Sequence, residues 1–316
     1  MINYSKKRYW MWLKYGIDTD KNVLVGIEDV SSGKTDLICL YCGSKLTAKK
    51  GKVKQHHFAH TEETCRPVAT KQVPSLPLYD AFNIQLSGKE LEELKVLWRE
   101  YGRHGYSIPT VPFKFVLSKL LRWNNDYQSQ GHEFTNLGKI PVCALPLELF
   151  NQVQEPLILE KLDLLEQAAT RAKLTNSSSI PERLADLRIY RAQIQRILQF
   201  SLYFLEIKAD GKLLHKIGVT RRSIKERVIE VQRDLKFHYK DVLVNVLGTW
   251  LHRGNVERYF KYKYQELNYP ISTLTEYFKF TDVEPVLEDL NQMAPKILSE
   301  IELDILQDEL PKMKQI

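Results

Sequence analysis

Four side chains in the last third of the chain have the types and spacing for phosphodiester chemistry. Tyr203 opens an apolar, aromatic run, SLYFLEIKA, and Gly218 closes the run that answers it, KLLHKIGVT. Lys216 stands two residues before that glycine; Arg227 and Glu257 follow in separate segments of helical period. A one-metal phosphodiesterase needs such a set: a carboxylate for a divalent ion, a cation for the phosphate, and hydroxyl or amine groups around the attacking water. A second constellation lies near the start. Cys39 and Cys42 form a C-x-x-C followed by Gly43, and His57, His60 and Cys65 come soon after. Two thiolates grip one ion, and glycine permits the tight turn beneath them. His60-x4-Cys65 supplies a second arm. The expected zinc ligands are Cys39, Cys42, His60 and Cys65, with His57 as a substitute ligand or a partner behind them. The alternative is free thiols and surface histidines.

These residues need a scaffold. Residues 201 to 209 and 213 to 220 read as two strands, and Asp210-Gly211 is a hairpin turn. Residues 223 to 236 follow as a helix with Ile224, Val228, Val231 and Leu235 on its buried stripe and Arg227 beside it. DVLVNVLGTW, residues 241 to 250, makes a third strand. GNVERYFKYKYQEL is the next helix, with Val256, Phe260, Tyr264 and Leu267 buried and Glu257 beside them. Strand alternation turns His215 away from Lys216, which suits a structural role.

This ordered set resembles the GIY-YIG nucleases. Ser201-Leu202-Tyr203 stands at the first motif, with serine in place of glycine; Lys216-Ile217-Gly218 stands at the second, with lysine in place of tyrosine. The Lys-Ile-Gly-x-Thr wording, continued by Val219 and Thr220, is similar to one branch of the family, and Thr275-Glu276-Tyr277-Phe278 resembles the Glu-aromatic-Phe element that closes it. The resemblance implies a three-stranded antiparallel sheet flanked by helices. It also implies a metal-dependent DNA endonuclease with Tyr203, Lys216, Arg227 and Glu257 as site residues and Mg2+ or Mn2+ on Glu257. Tyr203 then orients or deprotonates the water. Lys216 does so only if burial lowers its pKa far enough; otherwise it is a second phosphate clamp. The rival is a non-cleaving nucleic-acid-binding protein with a degenerate nuclease fold, in which Arg227 and Glu257 are ordinary helix-surface residues. An RNA-directed enzyme or a docking scaffold built on residues 75 to 175 is a third reading.

The cysteine segment resembles the N-terminal part of the competence-protein CoiA-like family: C-x-x-C-G, a lysine-rich loop from Lys45 to Lys54, then His-Phe-Ala-His and Cys. That likeness covers about the first 70 residues and brings only the zinc-bearing module with it. The loop, with Lys49, Lys50 and Lys52, is either a phosphate contact or a solvated hairpin tip.

The expected class is therefore α+β and multidomain: a zinc-binding β module at 1–73, a mainly helical middle region at 74–178, and a nuclease-like domain at 179–316. KNVLVGIEDV is the best strand of the first 30 residues. Residues 88 to 101 are helical, with Leu91, Leu94, Leu97 and Trp98 on one face. SIPTVPFKF is extended; residues 114 to 123 and 146 to 174 are helical, with a break at Pro156. The run Ser177 to Ser179 marks a boundary, and Ser179 with Glu182 caps a helix over 180 to 199. That helix carries Arg183, Arg188, Arg191 and Arg196 on a solvated or DNA-lining face and packs on the nuclease-like segment.

At 27% charged and 43% hydrophobic residues the chain is compositionally globular. Lys and Arg exceed Asp and Glu by 46 to 39 among 316 residues, which suits a polyanion such as DNA. No run is long and apolar enough for a membrane span, and the first residues lack the pattern of a secretion signal. Three of the four cysteines cluster between 39 and 65, which is metal-site usage and points to the cytoplasm. A role in phage defence, restriction or mobile-element biology suits such a combination.

Overall fold

The computed structural model describes residues 12–21, 23–51, 55–70, 73–124, 130–272 and 274–307. It is a mixed α/β protein that forms two compact units, each discontinuous in sequence. The first comprises Met1–Leu76, Ile158–Arg196 and Leu298–Ile316; the second comprises Pro77–Leu157 and Ile197–Ile297. Among the described residues no helix is long and apolar enough to cross a membrane.

The first unit is built on an antiparallel sheet of β1 (Tyr15–Asp18), β2 (Val23–Gly26), β3 (Gly33–Ile38), β4 (Lys45–Lys49) and β5 (His57–His60), in the order β2-β1-β3-β4-β5. The strand expected over KNVLVGIEDV ends at Gly26, because Ile27–Asp29 is a 3-10 turn that buries Ile27. The carbonyls of Glu28 and Val30 there accept from Lys50 Nζ at 3.3 and 2.6 Å. Leu13, Tyr15, Leu37, Leu46, Ala48 and Phe58 form the core, joined by Ile189 and Ala192 of the helix Ile180–Gln199. The expected packing on the 201–280 segment is met only by the last turn, where the Ile197 carbonyl accepts from the Gly254 N–H at 3.2 Å and the Leu198 carbonyl meets His252 Nδ1; the middle of the helix packs on this first sheet instead. Of its four arginines, Arg183 is 43% exposed, and the other three do not make a solvated face. Arg188 is buried, Arg191 pairs with Glu166 at 3.1 Å and Asp304 at 2.8 Å, and Arg196 pairs with Asp29 at 3.3 Å. An apolar stripe shows that a face is covered, not by what. Here acidic groups from three other segments converge on the arginines.

In the second unit, the helix Gly88–Glu100 starts at a reciprocal cap: Ser87 Oγ accepts from the Glu90 N–H at 3.3 Å, and Glu90 Oε2 accepts from the Ser87 N–H at 2.7 Å. The helix expected over 114 to 123, and the extended reading of SIPTVPFKF before it, give way to a short helix at Phe113–Leu117. Lys119 takes a left-handed φ of 57°. The Leu120 N–H closes the turn onto the Phe115 carbonyl at 2.8 Å, a helix-terminating arrangement. Residues beyond it form the hairpin β6 (Leu121–Asn124) and β7 (Gly131–Phe134). Pro156 does not break its helix, which runs unbroken from Leu147 to Leu174. An interior proline costs ~3 kcal/mol, and buried neighbours hold the helix through it. Gln154 Nε2 donates to the carbonyls of Pro77 and Leu78, while Asn255 Nδ2 donates to Asn151 Oδ1 and Gln154 Oε1.

The second sheet contains β8 (Ser201–Ala209), β9 (Lys212–Thr220), β10 (Val242–Trp250) and β11 (Tyr277–Phe278), all antiparallel, in the order β10-β8-β9-β11. It therefore has four strands where three were expected; the extra edge is the short β11. Asp210 and Gly211 both take positive φ, 47° and 75°, as a two-residue turn between twisted strands requires. One face of the sheet buries Leu202, Phe204 and Ile217 against Val256, Tyr259, Phe260 and Phe278. The other buries Tyr203, Leu205, Ile207 and Leu214 against Val231 and Leu235 of the helix Ile224–Leu235. The helix after β10 is shorter than expected, Val256–Lys263, and ends in a 3-10 turn that leaves Leu267 exposed.

Candidate functional site

The knuckle at Cys39 is set by its backbone. Gly43 takes a φ of +73°, its N–H donates to the Cys39 carbonyl at 2.8 Å, and the Cys39 N–H donates to the Ser44 carbonyl at 2.9 Å. These bonds fold Cys39 and Cys42 toward one point. Strand β5 delivers His60 from one side, and Cys65, at the start of the short helix Arg66–Ala69, comes from the other. The donor atoms of Cys39, Cys42, His60 and Cys65 all lie within 4.8 Å of one another. Cys39 Sγ and Cys65 Sγ are 3.9 Å apart, and Cys42 Sγ and His60 Nε2 are 3.3 Å apart. A tetrahedral ion with Zn–S bonds of ~2.3 Å sets its sulfurs about 3.8 Å apart. Donor type, number and spacing thus fit a structural metal such as zinc. Burial pushes the Cys39 thiol up to about 12 and raises Cys65. Burial likewise lowers His60. Burial opposes the fall at Cys42, where hydrogen bonds from Ser44 prevail and lower it. A coordinated dication deprotonates such thiols outright.

His57 does not join the cluster. Three residues from His60 on the same strand, it points to the other face. There Nδ1 meets the Gln55 carbonyl at 2.8 Å, and its ring lies 4.1 Å from that of Trp12. In the lysine-rich loop, Lys45 and Lys49 are exposed, Lys50 is tied to the carbonyls named above, and Lys52 and Lys54 lie outside the described residues.

In the second unit, register brings Tyr203 opposite Gly218 and Leu205 opposite Lys216. Tyr203, Gly218 and Lys216 therefore share one face of the hairpin. A Cβ on Gly218 would run into the Tyr203 hydroxyl, so this approach requires glycine. Arg227, near the N-terminal end of its helix, donates from Nε to Tyr203 Oη at 3.0 Å and from Nη1 to Glu230 Oε2 at 2.8 Å. Glu230 also holds Arg222 at 3.1 Å. Lys216 Nζ donates to Glu276 Oε2 at 2.7 Å and lies 4.7 Å from the centre of the Tyr277 ring. Lys261 Nζ bridges Glu257 Oε1 at 2.9 Å and Glu276 Oε1 at 2.7 Å. Tyr203 and Arg227 thus touch directly, while Lys216 reaches Glu257 through Glu276 and Lys261.

Burial raises the Tyr203 pKa against the pull of Arg227. Burial works against the Arg227 charge, but Tyr203 and Glu230 raise its pKa. Burial lowers Lys216 while Glu276 opposes that fall. Burial would raise Glu276, yet Lys216 and Lys261 hold it down at about 2. Neither Lys261 nor Glu230 was singled out in the sequence. Both are spaced to be found: Lys261 is four residues after Glu257, and Glu230 three after Arg227. His215 lies on the other face, buried, between Phe204 and Phe280 at 5.6 and 5.4 Å.

Residues 26–67 match the family model described as the N-terminal domain of competence protein CoiA. That stretch holds all four donors of the Cys3His cluster. No curated protein and no solved structure matches the chain.

Proposed function

We propose that the second unit carries a GIY-YIG-like endonuclease site that hydrolyses phosphodiester bonds of DNA, and that the Cys3His module of the first unit helps to hold the substrate. The observation that supports this most is the meeting of Tyr203, Gly218 and Arg227 on one face of the hairpin, with Lys216 beside them. The Nε and Nη1 groups of Arg227 are engaged by Tyr203 and Glu230, so among the described residues Nη2 is the edge left to meet a phosphoryl oxygen. A fixed cation aimed at growing charge acts mainly in the transition state. Tyr203 accepts from Arg227 and, with its pKa raised, stays a phenol that orients water through its own O–H. Glu257 Oε2 has no protein partner among the described residues. One free carboxylate oxygen suits Mg2+ or Mn2+, which keeps several waters. When bound, such an ion polarises the scissile phosphate and stabilises the leaving 3′ oxygen.

One observation favours a non-cleaving nucleic-acid-binding protein instead. Lys261 and Lys216 already pair with Glu257 and Glu276, the carboxylates on the Lys216 side of the proposed site. The two readings part in one experiment. Plasmid and single-stranded DNA are incubated with the protein, with and without Mg2+, beside Glu257→Gln. The enzyme reading expects metal-dependent cleavage that the variant loses while it still binds DNA. Absence of cleavage of either DNA by the parent, or equal cleavage by the variant, leaves the binding reading in its place.

A further inference from the structure

At the turn end of the β8–β9 hairpin lies a second feature that the catalytic residues do not use. It is an open cleft of about 400 Å³ whose lining includes Lys208, Lys236 and Lys240. Its acidic lining residues are Asp210 and Asp241. Asp210 is committed to the backbone: its carboxylate accepts from the N–H groups of Lys240 and Asp241 at 3.1 and 2.8 Å. Lys236 ends the helix Ile224–Leu235, and the next residue, Phe237, is 81% exposed. Phe237 does not itself line the cleft but follows Lys236, which does, and its ring is left in water. Large apolar side chains this exposed gain nothing from folding.

We infer that this cleft is a binding track for a nucleic-acid strand with unpaired bases, in which Lys208, Lys236 and Lys240 meet phosphates and Phe237 stacks on a base. Basic grooves that track a backbone, with aromatic faces for successive bases, are how single strands are held without sequence readout. Lys208 is five residues along β8 from Tyr203, which places the track about 17 Å from the proposed site, with the Lys208 side chain itself on the opposite face of the sheet. It therefore contacts substrate away from the scissile bond. The inference shares with the proposed function only a nucleic-acid partner, and it does not depend on cleavage.

The test uses full-length protein with no divalent metal added, labelled single-stranded and duplex oligonucleotides, and anisotropy titrations over a range of salt. Each phosphate contact to a single strand contributes about 0.7 to the slope of log affinity against log salt. Replacing Lys208, Lys236 and Lys240 together with glutamine should lower that slope by about 2. Phe237→Ala should weaken single-strand binding roughly tenfold or more, given typical base–aromatic stacking, and leave the slope unchanged. Its exposure keeps the fold out of the result, and thermal melting of both variants confirms that. Unchanged affinity and slope in both variants overturn the track, as does a loss seen only with duplex. Loss of binding in the cleft variants of a parent that cuts nothing keeps the track and removes the nuclease. Cleavage by a parent whose cleft variants bind normally does the reverse.

Discussion

Lys216→Met isolates what the unusual lysine contributes. Lys216 is 4% exposed. Its ammonium holds Glu276 at 2.7 Å and lies 4.7 Å from the Tyr277 ring. Methionine keeps the length and the apolar stem and deletes the charge. The charged hydrogen bond is worth about 1.5–3 kcal/mol and the cation–π contact about 1 kcal/mol. Against that stands the desolvation penalty of a buried ammonium, several kcal/mol, which the variant no longer carries. Glu276 is not stranded, because Lys261 remains at 2.7 Å. The net loss is therefore ~1–2 kcal/mol, below the 3–5 kcal/mol of an orphaned buried charge. Glu276 adds a pH signature. Its folded value of about 2 lies below the ordinary 4.5, so it contributes stability that is full above the unfolded pKa and lost as pH falls through the folded one. A shift of that size converts to roughly 3 kcal/mol at most. Glu276 keeps 41% of its side-chain surface, and solvent screening reduces the contribution to about 1 kcal/mol. Without Lys216 its folded pKa rises, so the acid loss of stability begins at higher pH. Urea melts across the acid range measure both effects. A loss above ~4 kcal/mol by the orphaned-charge standard, or an unmoved acid limb, refutes this account. The same variant separates the catalytic roles. A clamp gives a modest drop in cleavage and makes Tyr203→Phe the more damaging change. A base gives no activity, and the parent's pH–rate profile then shows a group titrating below an ordinary lysine.

Two further outcomes concern the first unit. Purified protein should hold about one zinc per chain. Cys39→Ser should lose it and destabilise the first unit while the transition of the second remains, since structural zinc supplies ~10–16 kcal/mol of folding energy; metal analysis showing none in the parent defeats this. Tyr41→Phe removes the 2.7 Å bond from its hydroxyl to the buried carboxylate of Asp186 and should cost about 2 kcal/mol near neutral pH. Burial raises the Asp186 pKa and the tyrosine counters it. The cost should therefore fade as acid protonates that carboxylate, and a loss independent of pH would count against the pair.

What was legible in the sequence was local. Asp210-Gly211 between two apolar runs announces a hairpin, because few residues accept positive φ at both turn positions. The same holds for Cys39 to Gly43, whose tight turn is written into five residues. His57 shows a local rule left unused. Given HFAH as a strand, a period of two already sends His57 and His60 to opposite faces. The misses needed distant chain. Pro156 reads as a break until buried Asn151, Gln154 and Asn255 fix the helix around it. The stripe of the helix 180–199 was visible, but its partners, Leu13 through Phe58, could not be inferred from it. The candidate site divides the same way. Tyr203 and Gly218 are register partners on one hairpin, so their meeting follows from the turn. Lys216 and Glu257 are linked only because the segment after Lys263 returns as β11 and sets Glu276 between two lysines. In the proposed enzyme, the identity of the proton-handling group therefore turns on Glu276. A carboxylate held down by two ammonium groups keeps Lys216 engaged, and a substrate phosphate that drew Lys261 away would leave Lys216 as its main partner.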